Sequence, residues 1–368
     1  MKKKKIFWLT ADNFFDVDIP LIPLLAAEFD IEWCIHVRKN AHYFTERNIA
    51  QYIPNRCNLK VKVVKSECRL SSLKTLKLFI GMGHTIKKNH YDIAYINMSG
   101  IPYLFFVLGS MRIKNLIYAC HDFVVHKNML HARWYKIYRE YAFLTFSHFQ
   151  LFSRTQYRLF KARFPYKNAF FASLCLKDFG SSQCNKPEDV VVFTFFGTIR
   201  KNKGLQYLIE AGNLLAERHI SQKFLIRICG FHEKWEEEYQ ACIHHPEVFE
   251  MDIRKIPNEE IANIFSTSHF LILPYIDVTQ SGPMMIAYNY TLPVIASNHD
   301  GFKEYVDDGV TGYLFEDRNS ISLAEKMLFA IENHGKYDIL RENLRSYINK
   351  NLSTSSIVRK YSDFFNSI

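Results

Sequence analysis

Short apolar runs rich in Ile, Val and Phe recur along the chain and alternate with longer stretches whose apolar residues fall at helical spacing. In the first half, Ile6–Thr10, Ile31–Val37, Lys60–Val64, Ile93–Asn97, Leu116–Cys120 and Phe149–Ser153 predict strands. Pro20–Phe29, Ser72–Lys88, Asn128–Phe143 and Arg154–Phe164 predict the helices between them. The second half repeats the plan, with strands at Val190–Phe196, Lys223–Cys229, Phe270–Pro274 and Pro293–Ala296. Its helices are predicted at Leu205–Arg218, Glu259–Ser266, Met284–Tyr290 and Ile321–Asn333. Alternation on this scale predicts parallel sheets covered on both faces, and two such series predict two facing Rossmann-like, doubly wound α/β domains. The polar stretch Asp178–Asp189 separates them, giving domains 1–177 and 178–354. Ligands of open parallel sheets bind beyond the carboxyl ends of strands, so functional residues are expected just after strands, in a cleft between the domains.

Composition narrows the class. A chain of 368 residues with 48% hydrophobic and 23% charged residues is neither disordered, collagenous nor coiled coil. The longest uncharged apolar run, Ile101–Met111, is far short of the roughly 18 residues of a membrane-spanning helix. At the start, too few apolar residues precede Asp12 for a secretory leader, and Ile6–Thr10 reads as a buried strand. The eight cysteines include no CxxC, and several lie in strand-like runs, which predicts reduced core thiols in a cytoplasmic protein. The 31 Phe and 21 Tyr fall in core-like runs such as FTFF, without the basic and aromatic interleaving of a base-stacking surface, so nucleic acid is not expected as a partner. Residues 1–185 carry 28 Lys and Arg against 12 Asp and Glu, a net +16, whereas 186–368 carry 19 against 25, a net −6. The basic half suits an anionic membrane surface; the bland reading is a scattered, solvated set of cations.

Two segments concentrate candidate chemistry. FFGTIRKNKGL leads from a strand through Gly197 to Arg200 and Lys203, then through Gly204 into a helix. A glycine admits close backbone approach and a helix N-terminus carries about half a positive charge, so the segment reads as an anion site, or else as a surface turn with solvated cations. LPYIDVTQSG then takes a second strand through Gln280, Ser281 and Gly282 into another helix. It is followed by LPVIASNHDGFKEYVDDGVTGYLF, in which Glu304 is expected to open a short helix. Two helix N-termini and two cations at strand ends suit a diphosphate.

These segments, with IYACHDFVVH, resemble the retaining nucleotide-sugar transferases of glycosyltransferase family 4, in a branch carrying QSG. The resemblance covers most of residues 90–320 and implies two facing Rossmann-like domains, the GT-B fold. It places Gly197, Arg200, Lys203, Gln280, Ser281, Gly282 and Glu304 at the donor, His121 beside the transferred sugar, and Asp16, Asp18 and His126 toward the acceptor. It further implies a metal-independent, retaining transfer, with no cofactor, from a UDP- or GDP-sugar to a hydroxyl of a glycan or lipid-linked acceptor, of the kind used in bacterial surface polysaccharide synthesis. In it Arg200, Lys203 and His121 carry the catalysis, and a closing helix over 355–368 returns to the first domain. The sequence also departs from the family. Val278 and Ile286 stand where many members have two glutamates, Pro283 removes a backbone N–H, and Asp300-Gly301 replaces a Gly pair. Two other functions therefore stay open, a nucleotide-sugar epimerase of the same fold and a non-catalytic partner that binds nucleotide-sugar or glycan.

Asp16-Val17-Asp18 is literally a DxD, a metal-binding signature in the other major transferase fold, but there it follows several nucleotide-binding strands and here only the first. An acceptor-facing acidic loop and a simple helix cap are the other readings. His121, His126 and His131 recur every five residues, which spreads them around a helix instead of aligning them as zinc ligands. His244 and His245 read as surface residues.

Overall fold

The computed structural model describes residues 2–41, 44–54, 59–69, 72–99, 102–124, 132–218 and 220–368. The chain divides into two compact units, Met1–Cys175 with Thr354–Ile368, and Leu176–Ser353.

The first unit is built on seven parallel strands among the described residues: β1 (Lys5–Ala11), β2 (Asp30–Val37), β3 (Lys60–Lys65), β4 (Ile93–Asn97), β5 (Leu116–Cys120), β6 (His148–Leu151) and β7 (Asn168–Phe171), in the order β3-β2-β1-β4-β5-β6-β7. Every residue of β4 and β5, and all of β1 after Lys5, is buried, as a parallel sheet covered on both faces requires. The order reverses direction between β1 and β4, whose register sets Thr10 beside Asn97 at the carboxyl end. The helix Thr354–Ser367 belongs to this unit, although it follows the whole of the other. Its Ile357, Tyr361 and Phe365, four apart and so on one face, are fully buried, and Tyr361 and Phe365 meet the rings of Trp8 and Tyr95. Gln150 donates to the Tyr361 hydroxyl (2.6 Å) and accepts from that of Tyr95.

The second unit repeats the plan with β8 (Val190–Phe196), β9 (Lys223–Cys229), β10 (Phe249–Asp252), β11 (Phe270–Leu273), β12 (Val294–Ser297) and β13 (Tyr313–Phe315), all parallel, in the order β10-β9-β8-β11-β12-β13. Its switch point lies between β8 and β11. Residues 172–189 hold no helix or strand; in this stretch Phe179 N donates to the Tyr290 hydroxyl, which donates to Gly180 O. Among the described residues no helix is long and apolar enough to cross a membrane, and the seven described cysteines are free. Burial pushes the thiols of Cys34, Cys175 and Cys229 up to about 12, which marks them as core residues.

Several elements differ from the expectation. β7, β10, β13 and the helices Pro102–Ser110 and Tyr337–Asn351 were not expected, and the helix expected over Pro20–Phe29 is a single turn, Ile22–Leu25. Pro23 occupies the first turn of that helix, where its missing N–H would have no partner anyway, so the run starts there instead of at Pro20.

Candidate functional site

In the second unit, the connections after β8 and β11 lie together at the switch point. β8 ends at Gly197, whose φ of +118° turns the chain and whose N–H donates to Cys229 O (2.9 Å). Lys201–Lys203 then forms a 3-10 turn flanked by Arg200 and Gly204, with Lys203 N donating to Arg200 O (2.8 Å), and Gly204 at φ +63° opens the helix Leu205–Ala216. Gly204 is held against the Pro274 carbonyl so closely that a Cβ there has no room. Ile276 N donates to Asn202 O (3.0 Å) and Ser297 Oγ to Tyr275 O (2.6 Å), tying the loops after β8, β11 and β12 into one surface.

On that surface Arg200 is exposed, and Lys203 Nζ sits 3.6 Å from the centre of the Tyr275 ring, a cation–π contact that orients the ammonium. Among the described residues neither cation forms a salt bridge. The helix Gly282–Asn289 starts beside the turn after β8: a Cβ on Gly197 would lie 3.8 Å from Pro283 Cγ. Ser281, almost fully buried, caps this helix by accepting from Met284 N (3.3 Å). Gln280 is half-buried one residue earlier. Lys177 brings its Nζ to 3.4 Å from where a Gly282 Cβ would be, a third cation at the same helix start that sequence reasoning missed. Only its position more than 100 residues upstream, next to an apolar run, could have been read, and that signals nothing.

Glu304 is half-buried, and the expectation for its helix is corrected: it closes the one-turn helix Asp300–Lys303 instead of opening one. That turn packs its Gly301 against the Val278 carbonyl. Ile286 is buried inside its helix, so an apolar residue at that position is used as core. His244 and His245 are respectively exposed and half-buried, and His245 Nδ1 lies 3.1 Å from Glu247.

In the first unit, His121 immediately follows β5 at the carboxyl end of the sheet. It is buried, its ring sandwiched between Phe14 (4.0 Å between centres, 7° between planes) and Phe152 (4.1 Å, 13°). His121 Nε2 is 2.8 Å from Asn97 Oδ1, and Asn97 Nδ2 donates to Asp18 Oδ1 (2.9 Å). Asp18 Oδ2 accepts from Trp8 Nε1 (2.9 Å) and Thr10 Oγ1 (2.6 Å). Burial raises this carboxyl to about 7 against the lowering effect of the three hydrogen bonds, with nearby Asp16 adding to the rise. The acceptor-facing expectation for Asp18 is therefore corrected: the one-turn helix Phe15–Asp18 leaves it fully buried, bonded to Trp8, Thr10 and Asn97. Asp16, on the same turn, is half-buried. His126 and His131 lie outside the described residues.

Residues 177–350 match the family model described as glycosyl transferases group 1. The match covers just under half of the chain and coincides with the second unit. An uncharacterized glycosyltransferase of Methanocaldococcus jannaschii is 23% identical over 181 residues, 49% of this chain and 46% of that protein, so the chain spans about half the length of the curated relative it matches. Among solved structures, a glycosyltransferase from Rickettsia africae is similar over 100% of this chain and 99% of its own at a TM-score of 0.76 and 14% identity. HepE of Anabaena, solved with UDP and glucose, is similar over 99% and 100% at a TM-score of 0.72 and 16% identity. These likenesses establish the fold, two parallel-sheet Rossmann-like domains of the GT-B type, and the domain match lies on the unit that carries Arg200, Lys203 and the QSG helix.

Proposed function

We propose that the chain is a retaining glycosyltransferase that moves a sugar from a nucleoside diphosphate donor, UDP- or GDP-linked, to a hydroxyl of a glycan or lipid-linked acceptor, without a metal or other cofactor, as surface polysaccharide synthesis requires. The observation that carries this reading is the convergence of Arg200, Lys203 and the start of the helix Gly282–Asn289 at the β8/β11 switch point of a glycosyl transferase domain. As the bond from the anomeric carbon to the diphosphate breaks, charge grows on the leaving oxygens. Arg200, Lys203 and the helix dipole stabilise that charge from fixed positions. The acceptor oxygen attacks the same face of the sugar and its proton passes to a departing phosphate oxygen, which preserves anomeric configuration. His121 is the hydrogen-bond partner of the sugar, and Asp16 faces the acceptor.

HepE was solved with UDP and glucose, which supports a UDP-sugar as the first donor to try. The test is a thermal-shift screen against UDP, GDP, ADP, CMP and their sugar conjugates, with and without EDTA. Stabilisation by one diphosphate, unaltered by EDTA and lost in Arg200→Ala, is the expected result. Absence of any shift across the panel overturns the donor assignment.

The net +16 of residues 1–185 favours a membrane-presented acceptor and a cytoplasmic, peripheral location. The helix Leu73–Lys88 exposes Leu73 beside Lys74 and Lys77 and ends in Lys87 and Lys88, and Lys60, Lys62 and Lys65 lie on β3. Flotation with vesicles containing anionic lipid, but not with neutral ones, is expected; equal flotation with both refutes it.

A further inference from the structure

At the carboxyl end of the first sheet, six neighbouring side chains form a hydrogen-bonded series whose donors and acceptors are fixed by chemistry. The indole N–H groups of Trp8 and Trp33 can only donate, so Thr10 Oγ1 is the acceptor for Trp33 (2.8 Å) and turns its own proton to Asp18. Asp18 Oδ2 thus receives two donors, from Thr10 and Trp8, and its Oδ1 receives the Asn97 amide. With the NH2 end of Asn97 held by Asp18, its carbonyl end faces His121 Nε2. A carbonyl only accepts, so the ring nitrogen facing it carries a proton. The stacked Phe14 and Phe152 rings leave the imidazole no freedom to turn over and exchange its nitrogens.

We propose that Asp18 and Asn97 are positioning residues that set the proton of His121 on Nε2, so that the neutral ring carries its lone pair on Nδ1 and accepts, rather than donates, a hydrogen bond from a sugar hydroxyl. The sugar contact rests on the transferase reading above; the assignment of the proton does not. The wholly buried setting of Asn97 and Asp18 fits the role, because water cannot offer either group a competing partner.

The arrangement makes an unusual demand of an isosteric change. In Asp18→Asn, Trp8 and Thr10 still donate to the oxygen at the Oδ2 position, so the new NH2 group faces Asn97. Asn97 must then turn its carbonyl to residue 18 and its NH2 to His121, which obliges Nε2 to accept and moves the ring proton to Nδ1. The expected readout is nitrogen NMR of histidine-labelled protein at about pH 8.5, where the Asp18 carboxyl is ionised. His121 is assigned by the resonance lost in His121→Gln. The wild type is expected to show a protonated Nε2 and the Asp18→Asn variant a protonated Nδ1, in a protein whose near-ultraviolet circular dichroism is unchanged. A wild-type ring protonated on Nδ1 overturns the proposal without any variant, and so does a folded variant with an unaltered ring. With a donor and acceptor in hand, Asp18→Asn should lower kcat about 10–100-fold with little change in donor KM. Unchanged kcat with a moved proton overturns the part played in transfer. If the wild type transfers no sugar, the transferase reading fails while the spectra still decide the proton.

Discussion

Replacing Arg200 with alanine removes one of the cations proposed to hold the donor diphosphate and touches little else. The side chain is exposed and makes no salt bridge among the described residues, so the fold should change by less than about 0.5 kcal/mol. A charge-assisted hydrogen bond to a phosphate oxygen contributes about 1.5–3 kcal/mol, so the dissociation constant of the matching nucleoside diphosphate should rise roughly 10–150-fold. Because the backbone of Arg200 stays in place, Arg200→Lys should recover part of the loss by returning the charge without the forked geometry. Lys201→Ala is the control: it removes an exposed cation one residue away, in the same turn. Calorimetric titration of each variant, at low and at raised salt, reads the effect directly, and the wild-type affinity should weaken with salt more steeply than that of Arg200→Ala. Equal affinities for wild type and Arg200→Ala, or equal losses for Arg200→Ala and Lys201→Ala, would refute the reasoning.

Three further outcomes follow from the geometry. Gly204→Ala must fit a Cβ against the Pro274 carbonyl at a φ of +63°; it should cost roughly 1–3 kcal/mol and separate the β8 and β11 loops, seen as a lower melting temperature together with lost nucleotide binding. Removal of 354–368 exposes the sites of Ile357, Tyr361 and Phe365, each fully buried; at about 1.5–3 kcal/mol apiece this rivals the whole stability of a domain, so hydrogen exchange should show the first unit open and the second protected. Asp18 titrates near 7 when folded and near 3.8 when unfolded, so the folded state holds its proton more tightly; its contribution is full below the lower value and is lost as pH rises through the upper one. Urea unfolding of the wild type should therefore lose more stability between about pH 5 and 8 than that of Asp18→Asn, and parallel profiles would contradict the assignment.

The strands buried on both faces were legible because a continuous apolar run is a local signal, as at Lys5–Ala11 and Leu116–Cys120. β7, β10 and β13 were not. Their burial is broken or their length only three residues, and they exist because a neighbouring strand offers hydrogen bonds, which no window of sequence records. The loop Gly197–Gly204 was legible for a similar reason: turn glycines, three cations and a following helix sit within a few residues. Asn97 was hidden as the last residue of an apolar run; its role comes from the β1/β4 register that sets it beside Thr10. Asp18 misled because a polar residue after a strand usually faces water, whereas this one meets an indole, a threonine and an amide that only the folded sheet brings together.

The return of the chain to its first sheet also governs how the protein can be made. Lys4 Nζ reaches the carbonyl oxygens of Phe365, Asn366 and Ile368 (2.6–3.2 Å), so the earliest strand is stitched to a helix that the ribosome supplies more than 350 residues later. Between those moments the whole of Leu176–Ser353 emerges and can close its own core, while Trp8 and Tyr95 wait with one face uncovered. Of these two units, the one later in sequence should thus be the first to finish folding. Chains ended at residue 353 and released should resist protease across the later unit while being cut within the earlier one.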